Sequence, residues 1–346
     1  MFLQGIAPGD AGWPTRLFTV SPAEGVAREI LSEFLGRGAW FWIGRPPDGR
    51  VSAPGEPLTE DDATAEFGSI SPDGRRLAYN LRRPGSRDIE LRVVGMAGGP
   101  SELLGINAIG PLWSPDGTAL AYSYFRLNLN PIAARLAIQQ IGGQERFLTD
   151  WRNDLVFSAS DWNARGLLGT QMSASLTGDA PLVLWSPGKL GAATPDRVLV
   201  SVPNAQAWQA MWSPNGRWVS FVLSPNDRPG TSELTVARAD GAPDQPLIRI
   251  AGEHTWPDKP RWSPDGRTLY FISPHRAPYF NLWGVGFDAD RGARVGEPFT
   301  LTAFDSPALH ISPHVQRAEM DVSAQHVVLT MKAVSGSIWM LDGVDR

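Results

Sequence analysis

Cysteine is absent from the 346 residues of this sequence. Disulfide bonds, thiolate metal ligands and cysteine nucleophiles are therefore all excluded. Long hydrophobic runs are absent as well, since no segment approaches the roughly 18 apolar residues of a membrane-spanning helix. Glycine and proline are instead abundant, with 36 and 30 residues. We therefore expect a soluble, turn-rich chain with a core of its own and no insertion into a membrane.

Neither sign of charge dominates, with 31 Lys and Arg against 36 Asp and Glu and a net charge of −5. The basic residues form no patch or stripe of the kind that binds nucleic acid, so we expect no direct nucleic-acid contact. The first 14 residues, MFLQGIAPGDAGWP, contain neither the basic region nor the apolar stretch of a secretory signal. A cytoplasmic location is expected for the chain as it stands, and a periplasmic one if a leader has been removed.

The common catalytic motifs are also missing from the sequence. It contains no G-x-S-x-G elbow, no H-E-x-x-H, no phosphate-binding G-x-x-x-x-G-K-S/T loop and no dinucleotide-binding fingerprint. These absences favour a binding protein over an enzyme.

A short phrase, Trp-Ser-Pro-Asp-Gly or a close variant, recurs about every 50 residues. Each copy is followed by an apolar run that ends on an aromatic or aliphatic residue. The turn prolines of the clearest copies are Pro72, Pro115, Pro214 and Pro264. Eroded copies begin at Asp161 and Asp321. Self-similarity at this period indicates one supersecondary unit that is stacked many times.

The residues of one repeat predict four antiparallel strands. Proline presets the backbone for a tight turn, Asp or Asn tolerates the next position, and Gly accepts a left-handed conformation, so Ser-Pro-Asp-Gly joins a hairpin. A third run follows, as in Ile89 to Val94 or Glu233 to Ala237, and then a Gly-rich turn and a short fourth run. Four strands per repeat describe a propeller blade. The fold class is therefore all-β, with residues 1–346 forming one β-propeller domain and six repeats within 66–346.

Residues 1–65 leave the number of blades open between six and seven. The runs 17–20, 27–31, 39–43 and 56–59 could form a further blade whose turn is Ser21 to Gly25, and seven blades is the more economical count. Alternatively, part of this segment closes the last sheet. The final repeat ends after its third predicted strand, 337–341, so we expect an N-terminal strand to supply the fourth and to cover the exposed edges.

The hairpins at 71–74, 114–117 and 263–266, each followed by a Leu-x-Tyr or Leu-x-Phe strand, resemble the WD40-like (PD40) repeats of the TolB family. The resemblance covers about 66–346 and implies six blades. Similar repeats occur in periplasmic TolB, beside bacterial winged-helix regulators and Ser/Thr kinases, in prolyl-oligopeptidase-like enzymes and in oligogalacturonate lyases. The resemblance therefore implies a fold and not one activity. The separate α/β domain that carries the peptidase catalytic residues has no counterpart in this sequence.

The repeat assigns its connections to two faces of the propeller. The Ser-Pro-Asp-Gly turns lie on one, the turn face, and the longer connections between blades and between second and third strands lie on the other, the variable-loop face. Loop residues there could form a funnel that binds a protein segment or a small ligand such as an oligosaccharide, or could cap the channel. The candidate residues are Trp151, Arg152, Asp154, Trp208, Trp256, Asp258 and Arg276.

By contrast, Trp113, Trp212 and Trp262 precede turns at equivalent positions and are predicted to pack between blades. We expect a monomer.

Four histidines, His254, His275, His310 and His314, fall in loops of the same face. Neutral imidazole binds metals and titrates near neutral pH, so these residues could hold a divalent metal in a carbohydrate-active lyase or hydrolase. The resemblance to oligogalacturonate lyases, which place histidines around a metal at such a location, implies the same alternative. Ser312 and Pro313 argue for an irregular loop between His310 and His314, and solvated loop histidines without a cofactor are the favoured interpretation.

Overall fold

The computed structural model describes residues 15–17, 19–20, 27–28, 63–126, 129, 131–186, 194–252, 256–305, 309–311, 319–322 and 327–333. All regular structure within these ranges is β, as predicted. Because they contain no helix, they contain none long and apolar enough to cross a membrane.

The described N-terminal residues form three short strands, β1 (Thr15–Leu17), β2 (Thr19–Val20) and β3 (Ala27–Arg28). Five complete antiparallel sheets, blades 1 to 5, then follow in chain order. Blade 1 consists of β4 (Thr64–Ile70), β5 (Arg76–Arg82), β6 (Ile89–Gly95) and β7 (Glu102–Ile106). Blade 2 consists of β8 (Ala108–Trp113), β9 (Ala119–Arg126), β10 (Ala133–Gln140) and β11 (Glu145–Phe147). Blade 3 consists of β12 (Leu155–Asn163), β13 (Gly166–Ser173), β14 (Leu182–Trp185) and β15 (Arg197–Val200).

Blades 4 and 5 have the same order of neighbours along each sheet. Blade 4 consists of β16 (Ala205–Trp212), β17 (Trp218–Pro225), β18 (Glu233–Arg238) and β19 (Ile248–Ala251). Blade 5 consists of β20 (Asp258–Trp262), β21 (Thr268–Ser273), β22 (Asn281–Asp288) and β23 (Ala293–Thr300). The first strands of successive blades lie beside one another, which places them innermost around the axis.

Blade 6 is assembled from both ends of the chain. Its central strand, β26 (Val327–Ala333), pairs on one side with β25 (Met320–Val322) and β24 (Leu309–Ile311), which together occupy the innermost position. On its other side β26 pairs with the N-terminal strand β1, with Arg16 opposite Met331. The ring is therefore closed by an N-terminal strand, as the sequence predicts.

The described residues form six blades, one of the two predicted counts, and not the more economical seven. The strands on either side of the predicted turn 21–25, β2 and β3, pair with each other, but they form a two-stranded sheet of their own. The preceding strand β1 is taken up in closing blade 6. In blade 6, β26 is the second strand from the axis and β1 is the third. The third position was predicted for 337–341, and the N-terminal strand was predicted in the fourth. Residues 39–43, 56–59 and 337–341 lie outside the described part of the chain.

The hairpin turns are held together by their own side chains. In blade 1 the Ser71 hydroxyl donates to Asp73 Oδ1 (2.6 Å) and accepts the N–H of Arg76 (2.9 Å), while Gly74 has φ 70°. The Ser71 hydrogen bond holds the pKa of Asp73 below its usual value. The repeated aspartate of the turn is thus explained by the turn alone.

Neighbouring blades share apolar clusters, and these form the core. Blades 1 and 2, 2 and 3, 3 and 4, and 4 and 5 each meet in a cluster of their own, and one large cluster joins blade 6 to both blade 5 and blade 1. Trp113, Trp212 and Trp262 are 4%, 6% and 7% exposed within these clusters. The prediction that they pack between blades is therefore confirmed.

Contacts between loops agree with the predicted division into two faces. On the turn face Arg76 Nη2 donates to Gly117 O of the next turn (2.8 Å). On the variable-loop face Ser232 Oγ, in a second-to-third-strand loop, donates to Pro257 O in a connection between blades (2.9 Å). Loops distant in sequence thus meet on one face.

Candidate functional site

Each innermost strand of blades 1 to 5 contains a register shift near its middle. The shifts lie between Glu66 and Ser69, Ile109 and Leu112, Ala159 and Asp161, Trp208 and Met211, and Asp258 and Arg261. Such bulges re-aim side chains, and here they bring polar groups of different blades together at the axis. Phe67, Gly110, Gln209 and Lys259 occupy the bulges with φ of 53° to 69°, so their positive φ angles follow from this shared geometry.

A buried ion network joins blades 5 and 6 at the axis. Arg261 Nη2 donates to Glu319 Oε1 (2.5 Å), and Arg261 Nε lies 3.5 Å from Asp321 Oδ1. Lys259 Nζ lies 3.6 Å from Glu319 Oε2. The side chains of Arg261 and Glu319 are only 11% and 14% exposed. Buried charges of this kind need partners, and here the partners belong to the neighbouring blade.

Two aspartates at equivalent repeat positions bind the next blade through its backbone. Asp161 Oδ2 accepts the N–H of Trp212 (2.7 Å) in blade 4. Asp321 Oδ2 accepts the N–H of Ile70 (2.6 Å) in blade 1. Desolvation raises the pKa of Asp161 to about 6 and also raises that of Asp321, against the opposing effects of these N–H groups and of Arg261.

The axial network was not predicted from the sequence, although one signal for it exists. Asp161, Arg261 and Asp321 all stand three residues before the turn proline, or before the alanine that replaces it. The other repeats have Ser69, Leu112 or Met211 there. A charge at an inner-strand position marks a group that requires a partner across the ring.

Asp258 lies on β20 beside the axis, and not in the exposed loop where the sequence interpretation put it. It is 8% exposed, and its Oδ1 accepts the N–H of Lys259 (2.8 Å), which also donates to Gln209 Oε1 of blade 4 (2.8 Å). Burial raises the pKa of Asp258. This position suits packing between blades more than contact with a ligand on the surface.

The other candidate aromatic and arginine residues of blades 4 and 5 have separate surroundings. Trp208 lies on β16 and packs, partly buried, against an apolar cluster of blades 2 and 3. Trp256 is 40% exposed, with its ring edge-on to Phe280 at 5.6 Å. Arg276 is exposed in a loop of blade 5 with φ 57°. The contacts of the described residues therefore do not gather all seven candidates into one funnel.

The predicted metal site is described only in part, because His254 and His314 lie outside the described residues. The ring of His275 packs edge-on against Trp283 (5.3 Å), and desolvation lowers its pKa. His310 is 8% exposed and stacks on Tyr279 (4.8 Å). No three His, Asp or Glu residues of the described ranges lie together so that they could hold a metal ion. The described imidazoles pack on aromatic rings, and the four-histidine site stays a prediction.

Trp151 belongs to a stack of arginine and aromatic side chains on blade 2. The guanidinium carbons of Arg126 and Arg135 lie 4.0 and 4.7 Å from the centre of its ring. Arg135 also lies 3.5 Å from the ring centre of Phe147, which is 45% exposed. We call Arg126, Arg135, Phe147 and Trp151 the arginine–aromatic patch.

A crevice opens beside this patch where blades 2 and 3 meet. Its lining includes Arg135, Thr149, Arg152, Phe157, Gln171 and Trp185, and its cavity volume is about 30 Å³. Trp185 is 2% exposed, and neither its indole nitrogen nor Arg135 Nε has a hydrogen-bond partner among the described residues. Two residues of the crevice lining thus hold buried donors without a hydrogen-bond partner among the described residues.

Arg152 and Asp154 form an ion pair at the edge of the crevice. Arg152 Nε and Nη2 donate to the two carboxylate oxygens at 2.9 and 2.5 Å. The Arg152 hydrogen bonds lower the pKa of Asp154 to about 2. Trp151, Arg152 and Asp154 therefore lie beside one feature, and Trp208 packs on an apolar cluster that includes Ala134 and Val156 of the crevice lining. Trp256, Asp258 and Arg276 lie in or next to blade 5.

No protein-family model and no curated protein matches the sequence. Solved structures are similar in fold. The protein described as "putative TolB" from Agrobacterium tumefaciens is 16% identical with a TM-score of 0.56, over 94% of this chain and 100% of its own. A prolyl endopeptidase is 18% identical with a TM-score of 0.51, over 90% of this chain and 43% of its own. An oligogalacturonate lyase in complex with manganese is 12% identical over 81% of this chain and 80% of its own, with a TM-score of 0.49.

Identities this low establish a shared fold and no shared activity. The lyase similarity is also the weakest of the three by TM-score and carries no weight. The described residues of this chain form a six-bladed β-propeller, similar in fold to that of the Agrobacterium protein.

Proposed function

We propose that this chain is a non-catalytic TolB-like propeller of WD40-like repeats that binds a protein segment on its variable-loop face, where blades 2 and 3 meet. The observation that carries the proposal is the arginine–aromatic patch beside a crevice with unsatisfied donors. Tryptophan, tyrosine and arginine are the residue types that dominate binding energy at protein interfaces.

The geometry of the patch supports binding because it lowers the entropy lost on association. The guanidinium of Arg135 is held between the rings of Phe147 and Trp151. Ordering a free arginine side chain at an interface would cost up to about 1.5 kcal/mol. A side chain that is already ordered avoids most of this cost.

The size of the crevice favours a protein segment over an oligosaccharide. Pockets that enclose a small ligand usually measure about 300–1,000 Å³, whereas this crevice has a cavity volume of about 30 Å³. A cavity of this volume accepts the tip of a side chain. The flanking patch then offers Phe147 as exposed apolar surface for the neighbouring residues of the segment.

The acidic groups at the axis support a non-catalytic role. Asp161 and Asp321 accept backbone N–H groups of the next blade, and Glu319 is paired with Arg261 and Lys259. These bonds hold the ring together, and a group that left them to transfer a proton would weaken the contact between blades.

The test is to select peptides by phage display on the immobilised chain and to measure their affinities by calorimetry. We expect Trp151→Ala to weaken binding about 30-fold or more, which corresponds to the loss of about 2 kcal/mol that defines an interface hot spot. Phe299→Ala is the matched control, because this ring is 46% exposed on the outer strand of blade 5, and it should leave the affinity unchanged. Peptides that bind both variants as tightly as the unmodified chain would contradict the proposal.

Elemental analysis of the same protein distinguishes the alternative, a metal-dependent carbohydrate-active enzyme. Peptide affinity that is unchanged by EDTA supports the binding function. One equivalent of a divalent metal together with cleavage of a carbohydrate polymer would support the enzyme instead.

A further inference from the structure

We infer that the crevice between blades 2 and 3 is a carboxylate-binding site, which takes the side chain of an aspartate or glutamate in the bound protein segment. This inference rests on the proposed function and specifies the chemistry of the partner. Its starting point is Trp185, which lines the crevice, is 2% exposed and has an unpartnered indole nitrogen among the described residues.

The unsatisfied groups determine which ligand chemistry fits. Indole N–H and guanidinium N–H groups donate hydrogen bonds and cannot accept them. Buried donors without a partner are costly, and an incoming acceptor removes that cost. Trp185 Nε1 and Arg135 Nε are both of this kind, so the ligand must present acceptors. A carboxylate has only acceptors when ionised, and its hydrogen bonds with arginine are among the strong ones.

The charge balance around the crevice also favours an anion. Neither Arg126 nor Arg135 forms an ion pair with an acidic side chain of the described residues. The nearby Glu145 accepts the hydroxyls of Tyr122 and Tyr124, both at 2.6 Å. Asp154 is bound by Arg152. The positive charge of Arg135 is therefore left for a ligand, although the whole chain has a net charge of −5.

The size of the crevice also accommodates a carboxylate. A water needs roughly 10–15 Å³ of such volume, so the cavity of about 30 Å³ has room for about two water-sized atoms. The two oxygens of a carboxylate fit this space.

The experiment compares two blocked peptides, acetyl-Gly-Glu-Phe-Gly-amide and acetyl-Gly-Gln-Phe-Gly-amide, which differ in charge at one position. Binding is followed by the indole N–H resonance of Trp185 in a ¹H–¹⁵N NMR spectrum, assigned with Trp185→Phe. We expect the glutamate peptide to shift this resonance and to bind about tenfold more tightly than the glutamine peptide. Equal affinities, or an unmoved Trp185 resonance, would overturn the inference.

Arg135 provides the second arm of the test. Arg135→Gln should abolish the preference for glutamate, and Arg135→Lys should retain part of it because the charge remains while the Nε–H is lost. Arg238→Gln is the matched control, since Arg238 also lies over a tryptophan, Trp218, at 5.6 Å but is paired with Asp240 on blade 4. Loss of the glutamate preference in Arg238→Gln would count against the site.

Acetate and inorganic phosphate, two simple anions, test whether the crevice binds a carboxylate outside a peptide and whether it prefers a carboxylate to other anions. If sodium acetate shifts the Trp185 resonance, the crevice recognises a carboxylate wherever it is carried, and the inference is supported for free acids as well. If inorganic phosphate shifts it as strongly as acetate, the selectivity for carboxylate is wrong. Failure of the inference is distinguishable from failure of the proposed function, because selected peptides that depend on Trp151 but not on Arg135 would remove only the carboxylate site.

Discussion

The complete repeats and the eroded repeats join neighbouring blades by different bonds at the same level of the ring. In the complete repeats of blades 2 and 5 the indole N–H of Trp113 or Trp262 donates back to a carbonyl of the preceding blade, at 2.9 and 3.3 Å. In the eroded repeats of blades 3 and 6 the carboxylate of Asp161 or Asp321 accepts a backbone N–H of the following blade.

In the two eroded repeats, loss of the Ser-Pro-Asp-Gly turn is accompanied by a carboxylate on the inner strand. Each carboxylate binds the following blade, and its buried negative charge requires a positive partner at the axis. Arg261 is that partner for Asp321. Between blades 2 and 3 the described residues make neither bond at this level. The crevice lies at this boundary, where an apolar cluster joins the two blades.

The largest expected loss of stability comes from removing Arg261, whose positive charge compensates the axial carboxylates. Arg261→Met leaves Glu319 and Asp321 without their arginine partner in a largely buried site. Removing one member of a buried ion pair typically costs about 3–5 kcal/mol, and we expect a loss near the lower end because Lys259 still reaches Glu319. Urea denaturation measures the change. Arg267→Met, at an exposed turn position of the same blade, should change the free energy of unfolding by less than about 0.5 kcal/mol.

The pH dependence of stability should have opposite signs for the two kinds of aspartate. The folded-state pKa of Asp161, about 6, lies above its ordinary value of 3.8, so the folded chain binds this proton more tightly than the unfolded chain. Its contribution to stability is present below pH 4 and is lost as the pH rises through about 6. The turn aspartate Asp73 has a lowered pKa, so its contribution is lost as the pH falls below 4.

Denaturation between pH 3 and pH 8 measures these contributions. In the unmodified chain, the free energy of unfolding should decline between pH 4 and pH 7. Asp161→Asn should reduce this decline by about 1–2 kcal/mol. This is less than the full shift implies, because Asp161 is only partly buried. Asp73→Asn should change only the acidic limb. Identical pH profiles for the two variants would refute the contrast between turn and axis.

The smallest expected effect is a difference in the stability lost when either of two tryptophans at the same repeat position is replaced. Trp113→Phe removes the bond from its indole to Ser69 O, and we expect this to cost about 1 kcal/mol more than Trp212→Phe. The indole nitrogen of Trp212 is buried without a hydrogen-bond partner among the described residues, so Trp212→Phe removes no bond. Thermal unfolding of both variants tests the difference, and equal losses would mean that packing alone decides.

Local chemistry made much of the fold predictable. The Ser-Pro-Asp-Gly turn satisfies its own polar groups within a few residues, as Ser71 and Asp73 show, and it therefore forms a hairpin in any surroundings. Regular spacing of these hairpins predicted the blades, and burial of Trp113, Trp212 and Trp262 followed from their place in the repeat.

The candidate site was predictable only in part. Trp151, Arg152 and Asp154 were identified as aromatic and charged loop residues, but their stack with Arg135 and Phe147 depends on strands β10 and β11 lying beside the loop. Trp185 gave no signal, because an apolar strand that ends on tryptophan is typical of core. Asp258 was misplaced because a polar residue after a loop does not reveal that the next strand turns inward.

The sequence by itself determined the repeating unit, its turns and the residues that pack between blades, since these depend on contacts within about 50 residues. Only the tertiary structure decided the number of blades, the axial network and the crevice. Pairing of β1 with β26 joins the two ends of the chain, and the axial charges come from blades 3, 5 and 6. Such contacts form only when the ring closes, because closure brings together groups that no local pattern relates.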